Sequence, residues 1–235
     1  MHSKKNVFFD AAGTLFFVNR GVGFHYSKIA AKYGVVADPD LLDKRFHEAF
    51  QKSVPLSTPH ISQAEREKAE EAWWNDLVRD VFKDIPFPAF DLFFKALYLF
   101  FQQGVGEADG SWALFPETKE VLERLVSLGH PIGLISNFDS RIHSVLESLG
   151  IRGIFETITY SSEAGFSKPS PFIFQQALRK ANCEPGHAIH VGDHPVYDIE
   201  GAQSAGIKAI LIDRSAKQKQ KINVITNLRE IYEYL

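Results

Sequence analysis

The chain has 235 residues, 45% of them hydrophobic and 23% charged, with a net charge of -3. That length can bury a sizeable core as one large domain or two small ones, and the charge balance carries no footprint for nucleic acid or an anionic membrane surface. A single cysteine, Cys183, excludes an internal disulfide and suits a reducing cytosol. Nothing near it in sequence reads as a partner base, so it is read as structural.

The first strand begins almost at once, which leaves no room for the apolar core of a signal peptide. The most apolar stretch, Leu92 to Phe101, is interrupted by Lys95 and is too short to span a bilayer. The expectation is a cytoplasmic protein that binds neither nucleic acid nor membrane, as a monomer or a homodimer. The basic run Lys217-Gln218-Lys219-Gln220-Lys221 reads as a solvated loop.

In chain order, Val7-Phe8-Phe9 predicts a short buried strand ending in Asp10, followed by the small residues Ala11-Ala12-Gly13. Phe16 to Gly21 reads as a short hairpin, with Asn19-Arg20-Gly21 as its turn. Gly21-Val22-Gly23 lacks the third glycine of a dinucleotide fingerprint. From Phe24 to Gln103 the pattern is helical. Tyr26, Ile29, Ala30 and Tyr33 share a face closed by Gly34, Pro39 opens a second helix, and Ser62 with Glu65 forms a capping box for a third that runs to about Lys83. Pro86 and Pro88 break that helix, and Phe90 to Phe101 makes the fourth. Most of the many aromatic rings in this block are expected to form its core, the remainder lining a substrate mouth.

From Trp112 helices and strands alternate. Strands are expected at 131–136, 155–160, 188–191 and 209–212, with helices at 117–128, 140–149, 171–181 and 196–205 and a closing helix from Leu228. Such units with short connections imply an α/β fold, a doubly wound parallel sheet with helices on both faces. The helical block is an insertion after the first strand.

Three strand ends carry polar groups: Asp10, then Ser136-Asn137, then Gly192-Asp193 with Asp198 in the following helix. In a parallel sheet these ends share one edge and can converge, and Lys168-Pro169 before a helix can point a cation into the same crevice. Clustered carboxylates repel one another unless a divalent cation lies between them, and oxygen ligands suit Mg²⁺. The metal, the Lys, the hydroxyl and backbone N–H groups together would neutralise a phosphoryl group, and a carboxylate held against phosphorus can act as nucleophile. His190 reads as a packed strand residue.

These four elements in this order resemble the haloacid dehalogenase-like hydrolases of subfamily IA, whose Rossmann-like core carries an α-helical cap inserted after the first strand. Asp10-Ala11-Ala12-Gly13-Thr14-Leu15 matches the first motif, Ser136-Asn137 the second, Lys168-Pro169 the third, and Gly192-Asp193 through Asp198 the fourth. Ser136-Asn137-Phe138-Asp139 resembles the branch of the animal rhythmically expressed gene products. The resemblance implies a core of residues 1–18 and 112–235 with a cap at 19–111. It implies Asp10 as a nucleophile forming an aspartyl-phosphate, and Ser136 and Lys168 as holders of the transferring group of a small phosphorylated substrate. Asn137 and the backbone N–H near Ala11 would assist. Asp10, Asp193 and the Ala12 carbonyl would bind Mg²⁺, with Asp198 in support.

One position departs from the family's phosphatases, which carry a second Asp where this chain has Ala12. That Asp serves as general acid and base, and such a group typically contributes about 10²–10⁴-fold in rate. Three readings follow. The first is a hydrolase with a substitute, either a cap residue such as His25 or a substrate with a good leaving group. The second is a phosphonate hydrolase using a cap lysine, with Lys28, Lys44 or Lys52 available. The third is a binder of Mg²⁺ and a phospho-ligand without catalysis. The retained Asp193 and Asp198 argue against a metal-free dehalogenase.

Overall fold

A computed structural model describes residues 4–103, 110–217 and 223–235, so residues 218–221 of the expected basic loop lie outside the described residues. The chain opens with β1 (Asn6–Phe9) and β2 (Phe16–Val18), then runs through α1 (Val22–Ala31), α2 (Pro39–Lys52), α3 (Gln63–Val81) and α4 (Phe90–Gln103) to β3 (Trp112–Leu114). After α5 (Thr118–Ser127) come β4 (Ile132–Ser136), α6 (Ile142–Ser148), β5 (Thr157–Tyr160), the single turn α7 (Ser161–Ala164) and α8 (Pro171–Lys180). The remainder is β6 (Ala188–Gly192), a π-helical turn over Pro195–Glu200, α9 (Gly201–Ser204), β7 (Lys208–Ile212), β8 (Val224–Ile225) and a closing 3₁₀ segment, Leu228–Tyr234.

Six strands make one parallel sheet in the order β5-β4-β1-β6-β7-β8, with β1 inside it. Alternation along β1 sends Val7 and Phe9 to one face and Phe8 to the other. Val7 and Phe9 pack with Leu122, Leu125, Val145 and Leu146 of α5 and α6, whereas Phe8 packs with Ile173, Phe174 and Ala177 of α8. Both faces are covered, and this is the doubly wound α/β architecture expected from the apolar strand runs.

The helices between β2 and β3 enclose a separate apolar cluster that includes Tyr26, Leu42, Val78, Phe82, Phe93 and Leu97. Local signals set their ends as expected. Asp38 caps α2 with Pro39 in its first turn, and the Ser62–Glu65 box caps α3. On α4, Phe90, Phe93, Phe94 and Leu97 face inward, and Leu92 and Leu99 are exposed. No helix among the described residues is long and apolar enough to cross a membrane.

Three expectations are corrected. Phe16 to Gly21 is not a hairpin: β2 pairs antiparallel with β3, Val18 opposite Trp112, and the turn at Arg20 and Gly21 (φ 62° and 82°) leads into α1. A local apolar strand shows no sign of a partner almost a hundred residues away, and the pairing clasps together the two chain crossings of the helical block. The helix expected over 196–205 is a π-helical turn followed by the short α9; Pro195 starts it without an N–H to donate. The closing helix is 3₁₀, held by a capping box of Asn227 and Glu230. The strand β8, two residues long, carries too little pattern to be read from sequence.

Candidate active site

Strand register gathers the site. Phe9 lies opposite Leu134 on one side and Val191 on the other. Asp10 is therefore level with Ile135 and Gly192, and Ser136 and Asp193 follow at the same carboxyl edge. The Asp10 N–H donates to the Val191 carbonyl (2.9 Å), which continues the ladder by one bond beyond β1. Ser136 ends β4 and is buried. Ala11 is fully buried, and its N–H supports the Asp10 carboxylate.

Lys168 enters from the loop before α8, next to a cis peptide with Pro169. Its Nζ donates to Asp10 Oδ1 and to Asp198 Oδ1, both at 2.6 Å, and all three side chains are at most 10% exposed. Burial pushes the Asp10 carboxyl up, against the pull of the ammonium. Burial alone would lower Lys168, but the two carboxylates outweigh it and hold its ammonium above the ordinary lysine range. Asp198 is likewise pushed up by burial, yet Lys168 and His190 hold it well below the usual carboxylate range.

Asp198 is saturated with donors. Besides Lys168 it accepts from His190 Nε2 (3.0 Å) and from the His194 backbone N–H (3.0 Å). His190 is a packed strand residue, as expected, with its ring edge-on to Phe174; its bond to Asp198 had no sequence signal. Gly192 makes the approach possible, because a Cβ there would fall 2.1 Å from Asp198 Cγ.

Asp193 completes the carboxylates. One oxygen from each of Asp10, Asp193 and Asp198 lies within a 4.8 Å cluster. Asp193 opens to solvent, but desolvation by the crevice wall and the charges of Asp10 and Asp198 push it up to about 7. Thr14 Oγ1 donates to Asp193 Oδ1 (3.2 Å), and Arg214, paired with Glu117, donates to the Thr14 carbonyl (2.6 Å). Arg214 and Glu117 brace the Asp10 loop, and sequence reasoning missed both. Gly13, at φ 91°, takes a conformation that favours glycine, and a Cβ there would lie 2.5 Å from Asp193 Oδ2.

Asn137 turns its amide to the backbone of Lys168. Its Nδ2 donates to the Lys168 carbonyl (3.0 Å), and its Oδ1 accepts from the Lys168 N–H (2.7 Å). Both ends of the amide are thus engaged with the backbone of Lys168. Ala12 is exposed beside this group and brings no polar side chain to it.

A cavity of about 660 Å³ runs from Ala12 and Lys168 into the helical block. Its walls are largely apolar and include the rings of Phe46, Phe50, Trp74, Tyr98, Phe101 and Trp112. The proposed substitutes for the missing acid fare poorly here. His25 is buried with Nε2 2.6 Å from the Asn19 carbonyl and its ring against Phe100 and Phe101. Lys28, Lys44 and Lys52 are not among the residues that line the cavity. Cys183 lies outside the site; burial pushes its thiol up, away from a reactive thiolate.

Helix α3 is tied to the sheet edge by groups that the sequence did not single out. The Glu70 carboxylate accepts from the Ser140 N–H (3.1 Å), the Ser140 hydroxyl and the Ser162 hydroxyl (2.5 Å). Trp74 Nε1 donates to Asp139 Oδ2 (2.5 Å), and Asp139 also takes a two-pronged grip from Arg141. Burial raises the Glu70 pKa, although the serines pull it down. A carboxyl that holds its proton more tightly when folded stabilises the fold most below its unfolded value of about 4.3. That contribution is lost as pH rises through the folded value. Glu70→Gln should flatten this fall, read as a smaller drop in melting temperature from about pH 4 upward to pH 8 than the parent chain shows.

Comparisons with known proteins agree with this geometry. The family model described as haloacid dehalogenase-like hydrolase matches residues 4–206. The chain is 30% identical over 218 residues to haloacid dehalogenase-like hydrolase domain-containing protein 3 of Danio rerio, covering 93% of this chain and 88% of that protein. It is 37% identical over 114 residues to the glyceraldehyde 3-phosphate phosphatase of Methanothermobacter thermautotrophicus, covering 48% of this chain and 50% of that one. The crystal structure of a phosphatase of this superfamily from Thermococcus onnurineus superposes with a TM-score of 0.63 at 22% identity, over 98% of this chain and 97% of that chain. With its motifs at one sheet edge and the family model matched over residues 4–206, the chain belongs to the haloacid dehalogenase-like hydrolases.

Proposed function

We propose that the chain is a Mg²⁺-dependent phosphohydrolase in which residues 1–18 and 112–235 form the catalytic core and 19–111 a cap. The observation that carries this reading is Lys168, whose ammonium touches Asp10 and Asp198 at once at the core end of the cavity. An anion-binding module has no use for a carboxylate where its anion sits, whereas phosphoryl transfer needs one there as nucleophile.

The residues fit Mg²⁺. Three carboxylates face a single lysine, so the crevice is short of positive charge, and the charges of Asp10 and Asp198 add to the desolvation that pushes Asp193 up. The donors are all oxygens, the ligand set of a hard cation, and the glycine at 13 leaves Asp193 room. Asp10, Asp193 and the Ala12 carbonyl would hold the ion, while Asp198, already bound by three donors, steadies Lys168. When bound, the ion supplies charge neutralisation at the phosphoryl oxygens.

In this scheme a carboxylate oxygen of Asp10 attacks phosphorus, with Lys168, Ser136 and the Ala11 N–H taking up the charge on the transferring group. Asn137 keeps Lys168 in register through its backbone. Water then releases phosphate from Asp10. The test is phosphate release from a panel of phosphorylated metabolites with Mg²⁺ or with excess chelator. The panel includes glyceraldehyde 3-phosphate, the substrate in the archaeal relative's name. Release that stops in chelator is expected; release unaffected by chelator, or none from any member and none from acetyl phosphate, would overturn the reading.

A further inference from the structure

We infer that the substrate is an aryl phosphate, a phosphate monoester of a phenol, whose ring system fills the aromatic cavity between the helices and the sheet edge. The inference rests on the phosphohydrolase reading, and two independent observations carry it beyond that reading.

The first is the cavity itself. At about 660 Å³ it is in the range of pockets that take whole small-molecule ligands, and it has room for two or more fused rings. The rings of Phe46 and Trp74 face each other almost parallel, 6° apart with centroids at 6.5 Å, and Phe50 lies beside them. Flat walls of this kind suit a flat guest. The charged groups on the wall are already occupied. Arg141 is bound by Asp139 at 2.6 Å and lies over the rings of Trp74 and Tyr98, each 4.6 Å away. Lys168 is held by its two carboxylates. No second anion on the guest finds a free cation there among the lining residues just named, which disfavours sugar bisphosphates and nucleoside di- and triphosphates.

The second observation concerns the leaving group. An alkoxide must be protonated as it departs, and Ala12 cannot do this. His194, which lines the cavity next to Asp193, does not replace it. Its Nδ1 accepts from the Val196 and Tyr197 N–H groups, both at 3.2 Å, and its ring stacks on Tyr197. A phenol, like a tyrosine side chain, ionises near about pH 10 and leaves without help. An aliphatic alcohol does not.

The steps balance without an external acid. An Asp10 oxygen forms an O–P bond while the P–O(aryl) bond breaks, and its electron pair departs on the phenolate oxygen. Water next attacks phosphorus, the Asp10–phosphorus bond breaks with return of the carboxylate, and the proton of that water passes to solvent. The second step also lacks the base that position 12 would supply, so the aspartyl-phosphate accumulates. A burst of phenol equal to the enzyme concentration is therefore expected.

The test compares five phosphates with the full chain and Mg²⁺: acetyl, phenyl, 4-nitrophenyl, 2-naphthyl and 2-naphthylmethyl. Expected are a kcat/KM for 2-naphthyl phosphate about tenfold above phenyl phosphate, from burial of the second ring, and a rise from phenyl to 4-nitrophenyl. The equally bulky 2-naphthylmethyl ester, an alkyl phosphate, should fall about a hundredfold or more below 2-naphthyl phosphate for want of an acid. In Phe50→Ala, and in the cavity-filling Leu97→Phe, the ratio of 2-naphthyl to phenyl should collapse towards one, with circular dichroism confirming that each variant folds. Equal rates on 2-naphthyl and 2-naphthylmethyl phosphate, or no gain over phenyl phosphate, would overturn the inference. If acetyl phosphate is still turned over in that case, phosphoryl transfer at Asp10 stands by itself. If no phosphate at all is turned over, acetyl phosphate included, both readings fall together.

Discussion

Asp10→Asn should reduce phosphate release by about a thousandfold or more, the scale of losing a covalent nucleophile. The amide keeps the shape of the carboxylate but cannot form the acyl phosphate, so the phenol burst should disappear with the turnover. The substitution also removes one of the two anions that hold Lys168. Breaking one side of a buried ion pair typically costs about 3–5 kcal/mol, although here Asp198 remains as partner, so the loss in stability should fall below that range. Acid-quenched intact-mass analysis separates the two effects. The parent chain should carry one added phosphoryl group during turnover, and Asp10→Asn none while still folded. A folded Asp10→Asn variant that retains the burst would place the nucleophile elsewhere and end the mechanism.

Much of the fold was legible because each signal was local. Ser62 and Glu65 cap α3 in the way their spacing demands, and the apolar run of Val7 to Phe9 allows little but a buried strand. The approach of Asp10 to Asp193 was also readable, since a parallel sheet puts every strand's carboxyl end on one edge, and a lysine just before a helix can reach the same crevice. What stayed hidden depends on contacts distant in sequence. The β2–β3 clasp joins segments separated by the whole helical block. The engagement of Asn137 with Lys168 spans 31 residues, and the Glu70 bonds to Ser140 and Ser162 span 70 and 92. A buried glutamate in a helix rich in exposed charge carries no mark of being the inward one. The aromatic residues were correctly expected to form a core, but only the packing separates those that fill it from those that line the cavity.

Ala12→Asp tests the proposal that the absence of an acid at position 12 limits turnover. The new carboxyl would stand at the core end of the cavity, where Ala12 is exposed and small. On alkyl phosphates such as glyceraldehyde 3-phosphate the rate should rise by about 10²–10⁴-fold, because a positioned acid now protonates the alkoxide. On 2-naphthyl phosphate the two kinetic constants should part. With kcat/KM limited by a phenolate that leaves unaided, it should change little. With kcat limited by hydrolysis of the aspartyl-phosphate, it should rise as the introduced carboxylate activates water, and the burst should shrink. The same substitution adds a fourth carboxylate to a crevice in which Asp193 is already pushed up to about 7. Like charges at this range oppose one another, so the metal-free variant should melt below the parent chain and recover more on addition of Mg²⁺. If alkyl phosphates gain nothing while the aryl burst shrinks, the introduced carboxylate is working as a base but no alkyl leaving group comes within its reach. In that event the cavity, and not the missing acid, sets the substrate class.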